Sequence, residues 1–131
     1  MTEVVLFHHV QGLTEGVRSF ADELRGAGHT VHTPDLFEGR TFDTLDEGLG
    51  FAQQSGFGAL VERGVAAAEE IDPEVVYAGI SFGVMAAQRL AQTRPGAKGV
   101  VLVSAAVPAT AFGAAWPAEV PLQMQDRKSV V

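Results

Sequence analysis

The sequence predicts an α/β domain: a mostly parallel sheet of about five strands with helices on both faces. Three observations carry that expectation. Short apolar runs at residues 4–7, 75–80 and 100–103 suit strands that are covered on both sides. Segments with apolar residues at helical spacing lie between such runs, so strands and helices alternate. The 15 glycines suggest tight turns and close backbone contacts. At 131 residues the chain is long enough for one core and too short for two, so residues 1–131 read as a single domain.

The elements follow in order. "EVVLFHH" (3–9) is β-branched and is followed by a glycine-containing turn, as a buried strand would be. Thr14 is placed to cap the next helix, with Glu15 in its first turn. Val17, Phe20, Ala21 and Leu24 form one apolar stripe along it, and Gly26 and Gly28 end it. "HTVHTPDL" (29–36) is the second strand, stopped by Pro34. Residues 37–54 are polar, acidic and irregular, and read as a long surface loop. Phe57, Leu60, Val61, Gly64, Val65 and Ala68 mark a second amphipathic helix. A third strand spans 74–80, a third helix 82–93, and a fourth strand 98–106. A Pro- and Ala-rich connection (108–121) then leads to a fifth strand beginning near Val120.

Composition narrows the range of partners. A net charge of -7 argues against nucleic acid or an anionic membrane, since both demand a basic footprint. The absence of cysteine excludes disulfides and thiolate metal sites. No stretch approaches the roughly 20 apolar residues of a membrane span, and "MTEVVLFHHV" lacks a basic leader region. A soluble, cytoplasmic protein is expected.

One motif carries chemistry. Gly79-Ile80-Ser81-Phe82-Gly83 matches G-x-S-x-G, with a strand before it and a helix after it. In such an elbow the serine sits on a strained turn with its hydroxyl projecting above the sheet. Side chains two positions either side would collide, so both places want glycine. At this composition chance supplies only about 0.06 matches to the pattern. Ser81 is therefore the candidate nucleophile, and the N–H of Phe82 a candidate oxyanion donor. The plainer alternative is a tight turn in which Ser81 merely caps the helix.

The four histidines all precede Ser81. His8 and His9 end the first strand near the top of the sheet. One is expected to pack against the core and the other to meet solvent. His29 and His32 read as structural. Adjacent histidines on a strand point to opposite faces, so no metal site is expected. No cofactor is expected either.

The chain as a whole resembles the dienelactone hydrolases, a branch of the α/β-hydrolases. The resemblance rests on "VVLFHHVQGLTEGVRSFADELRGAGHTVHTPDLFEGRTFDTLDEG", "VVYAGISFGVMAAQRLA" and "GVVLVSAA", and covers roughly residues 3–125. It implies an α/β-hydrolase-like fold with Ser81 as nucleophile, and an oxyanion hole formed by the backbone N–H groups of Phe82 and Val10. Dienelactone hydrolases in the strict sense carry a cysteine where Ser81 stands and a glutamate where His9 stands. The implied activity is therefore that of a serine hydrolase on an ester or lactone, working through an acyl-enzyme. A thioesterase or acyltransferase differs only in substrate.

In this fold the acid and the histidine follow the serine in the chain. No histidine follows Ser81, and Asp126 is the only acidic residue left near the fifth strand. The family's C-terminal strand and helix are not recognisable, and "DRKSVV" does not resemble its continuation. The chain is thus expected to be truncated after about residue 125 and to lack the acid and base of its triad. A second class of reading remains: a catalytically inactive α/β domain that binds a small ligand or a protein partner, with self-association through an exposed sheet edge.

Overall fold

The computed structural model describes residues 2–103 and 122–125. Its five strands are β1 (Glu3–Phe7), β2 (Thr30–His32), β3 (Val76–Ile80), β4 (Gly99–Val103) and β5 (Leu122–Gln125). All pair in parallel in the order β2-β1-β3-β4-β5. The helices are α1 (Glu15–Gly26), α2 (Leu45–Ser55), α3 (Phe57–Glu69) and α4 (Val84–Thr93).

Strand alternation divides the core between two faces. Val4, Leu6, Ala78, Ile80 and Val103 pack with Val17 and Ala21 of α1. Val5, Phe7, Tyr77, Val100 and Leu102 pack on the other face with Leu60 and Ala68 of α3 and Val84, Ala87 and Leu90 of α4. Period-two alternation in β1 therefore serves both layers at once. Each fully buried large side chain such as Phe7 is worth about 1.5–3 kcal/mol of burial. On the α1 face an apolar trough of about 350 Å³ stays open, lined by Val4, Phe20, Leu24, Val76 and Val101 among others. His29 borders it, and among the described residues its buried Nδ1 has no hydrogen-bond partner.

The topology places the site. From β1 the chain crosses by α1 to β2 at one side; from β3 it crosses by α4 to β4 at the other. β1 and β3 are neighbours, paired Phe7 to Gly79. The carboxyl ends of these two strands therefore flank the point where the winding reverses, where open α/β sheets hold their ligands. Among the described residues no helix is long and apolar enough to cross a membrane.

Three expectations need correction. β1 ends at Phe7, so His8 and His9 follow the first strand rather than forming the end of it. Residues 45–55 form helix α2 within the segment read as a loop. Its inward positions are the small Gly48 and Ala52, while Leu45 and Leu49 are exposed. The usual apolar stripe is inverted, so periodicity gave no signal. The missed signal is Thr44-Leu45-Asp46-Glu47: the Thr44 hydroxyl accepts the Glu47 N–H at 3.2 Å and donates to its carboxylate at 3.1 Å. The second strand is also shorter than 29–36, ending at His32. Beyond Pro34, the Asp35 carboxylate accepts the N–H groups of Phe37 and Gly39 and turns the chain out of the sheet.

Candidate active site

β3 runs straight into a 3-10 turn, Ser81–Gly83, and then α4. Ser81 has φ +51°, one of two non-glycine residues with positive φ among those described. That left-handed conformation costs a non-glycine residue about 1–2 kcal/mol, so the surroundings must enforce it. Two glycines do so. A Cβ on Gly79 would lie 2.4 Å from the Gly83 carbonyl oxygen. A Cβ on Gly83 would lie 2.3 Å from the Phe7 carbonyl oxygen and 2.7 Å from that of His8. The glycines thus do not merely avoid one another. Gly79 admits the turn of the elbow, and Gly83 lets the elbow press against the end of β1.

Ser81 is partly exposed, whereas Phe82 is buried. Among the described residues no side chain hydrogen-bonds the Ser81 hydroxyl. The start of α4 lies behind it, where free N–H groups and the helix dipole favour developing negative charge.

His8 and His9 end up as expected, one in the core and one partly exposed. The His8 Nδ1–H donates to the His9 carbonyl at 2.7 Å, and its Nε2 accepts the Leu36 N–H at 2.9 Å. This pattern fixes one neutral tautomer. The Asp35 carboxylate lies 3.8 Å from Nε2, but that nitrogen carries no proton, so the contact is no ion pair. Burial pushes the His8 pKa below its ordinary value, against a smaller opposing pull from the His9 carbonyl bond. Burial likewise lowers His9, whose Nδ1 accepts the Gln11 N–H at 3.2 Å. His32 pairs with Glu3 at 2.5 Å on the edge of the sheet, and His29 lies on the α1 face. Among the described residues no histidine hydrogen-bonds the Ser81 hydroxyl. Among the described residues no three His, Asp or Glu side chains cluster as metal ligands would.

Val10 follows β1 at the same end of the sheet and is buried. Around it and Phe82 the aromatic rings converge: Phe37 contacts His8, Phe42, Phe51 and Phe82, and Phe57 contacts Phe82. The elbow and the Val10 loop therefore share an apolar floor, which strengthens any hydrogen bond made above it. Asp126 and the 108–121 connection with Phe112 and Trp116 lie outside the described residues.

A parallel sheet with a strained serine elbow after its central strand is the architecture of the α/β-hydrolases. Solved structures of that fold match the chain. An extracellular α/β-hydrolase from a Paenibacillus species is similar at 25% identity and a TM-score of 0.61, over 82% of this chain and 42% of that one. A thioesterase domain from the curacin biosynthetic pathway is similar at 23% identity and a TM-score of 0.61, over 79% and 37%. A dienelactone hydrolase from Anabaena variabilis is similar at 20% identity and a TM-score of 0.55, over 95% and 73%. The chain thus spans less than half the length of the first two proteins. No family model and no curated protein matches it.

Proposed function

We propose that this chain carries the nucleophile half of a serine hydrolase acting on an ester or lactone, resembling the dienelactone hydrolases. The observation that supports it is the positive φ of Ser81, held by two glycines that tolerate no Cβ. A helix cap needs no such strain, whereas a projecting nucleophile does.

The Ser81 oxygen adds to the substrate carbonyl while its proton leaves to a base. The carbonyl oxygen becomes an anion, accepted by the N–H groups of Phe82 and Val10. Losing one such donor costs about 2.7–4 kcal/mol in worked cases. Collapse expels the alcohol and leaves an acyl-serine, which water then cleaves. Among the described residues no histidine hydrogen-bonds Ser81, and slow turnover by the 131-residue chain is the expected outcome. Removal of the base costs about 10⁴–10⁶ in rate in comparable enzymes.

The second reading is a silent α/β domain that binds a small ligand. It draws support from the same histidines, none of which hydrogen-bonds the Ser81 hydroxyl among the described residues. A fluorophosphonate probe separates the two. Slow labelling located at Ser81, and absent from Ser81→Ala, is expected; no labelling, or labelling elsewhere, would favour the binding domain.

A further inference from the structure

We propose that Gly48 of α2 is a positioning residue for the oxyanion hole, packing on the Val10 carbonyl so that the Val10 N–H, across the same Cα, faces the elbow. The inference rests on the serine-hydrolase reading above and on geometry of its own.

The two peptide units that flank Val10 are both fixed. The carbonyl of the first, on His9, accepts the His8 Nδ1–H at 2.7 Å and the Gly12 N–H at 3.0 Å. That peptide is trans, so the Val10 N–H points away from these donors. Among the described residues no backbone carbonyl accepts it. The Val10 N–H is thus available as a donor at the carboxyl end of β1.

The second peptide is held by α2. A Cβ on Gly48 would lie 2.1 Å from the Val10 carbonyl oxygen, 2.7 Å from its carbon and 3.2 Å from the Gln11 nitrogen. These are backbone atoms and cannot swing aside. The adjoining strap is bonded to the same loop: the Phe42 N–H donates to the Gln11 carbonyl at 2.9 Å. The Gln11 amide returns two bonds, to the carbonyls of Phe42 at 3.3 Å and Asp43 at 3.2 Å.

Helix propensity does not explain the glycine, which is a poor helix former. Gly50, in the same helix, provides the contrast, because a Cβ there meets nothing within 4 Å. The Val10 backbone sets the residue at 48. No comparable constraint acts at 50.

The test compares Gly48→Ala with Gly50→Ala in the whole chain, using phenylboronic acid as probe. The Ser81 oxygen adds to boron, its proton passes to solvent, and the four-coordinate boronate carries the negative charge into the oxyanion hole. The wild type and Gly50→Ala are expected to bind it equally, with the Val10 amide resonance shifting on binding. Gly48→Ala is expected to bind at least tenfold more weakly. Equal affinity in Gly48→Ala, or a Val10 amide that ignores the boronate, would overturn the proposal. If Gly48→Ala does not fold, Gln11→Ala serves instead, with a loss of about threefold expected and no loss counting against it. Absence of any Ser81 adduct in the wild type refutes the nucleophile reading. Positioning is then judged on the free proteins, where Gly48→Ala must move the Val10 amide resonance and Gly50→Ala must not.

Discussion

The Nε2 of His8 accepts the backbone N–H of Leu36 at 2.9 Å, which joins the end of β1 to the turn that follows β2. The carbonyl of Leu36 is taken in turn by Arg63 of α3 at 2.9 Å. The Leu36 main chain is therefore held from both sides, and Phe37, next to it, is fixed beneath the elbow's Phe82. An imidazole so placed acts through its neutral form.

This makes stability fall with acid. The folded-state pKa of His8 lies below its unfolded value near 6.5, so in that window the unfolded chain binds more protons. Stability is complete above about pH 6.5 and is lost as pH falls toward the folded value, by at most about 1.4 kcal/mol per pH unit for this group. His9 is shifted the same way and adds to the slope. Urea midpoints between pH 8 and pH 5 should show the decline, and His9→Gln should remove only part of it. A flat profile would contradict the neutral, buried His8.

The elbow should be a site of stored strain. Ser81→Gly relieves the left-handed backbone and should stabilise the fold by about 1 kcal/mol, whereas Ser81→Ala keeps the strain and should not. Gly79→Ala and Gly83→Ala both drive a Cβ into backbone and should destabilise by more than about 3 kcal/mol. Chemical denaturation of the four variants checks the order. Stabilisation by Ser81→Ala equal to that by Ser81→Gly would remove the case for strain.

Helix α2 should depend on its cap. Thr44→Ala removes the acceptor of the Glu47 N–H and should cost about 1 kcal/mol. The loss should concentrate in hydrogen exchange of residues 45–55. Unchanged protection there would mean that packing of Gly48 and Ala52, rather than the cap, holds the helix.

How much of this the sequence contained differs from element to element. The apolar strands, the stripe of α1 and the G-x-S-x-G elbow were legible because their signals are local: run length, period and fixed offsets. The structure adds that Gly83 answers to Phe7 and His8, residues more than seventy positions away, which no local pattern encodes. α2 escaped because it buries small residues and exposes its leucines. The neutral lock on His8 was unreadable for the same reason as Gly83, since its partner Leu36 is 28 residues distant.

The most direct test of Ser81 as a nucleophile is intact-mass and peptide-mass analysis after brief exposure to p-nitrophenyl acetate. An activated ester needs little help to acylate a projecting serine, while hydrolysis of the acyl-serine needs a base to activate water, and no described side chain hydrogen-bonds Ser81. The account predicts that a single acetyl group accumulates on Ser81 and persists, and that Ser81→Ala carries none there. A wild-type Ser81 that stays unmodified while other residues become acetylated would contradict it.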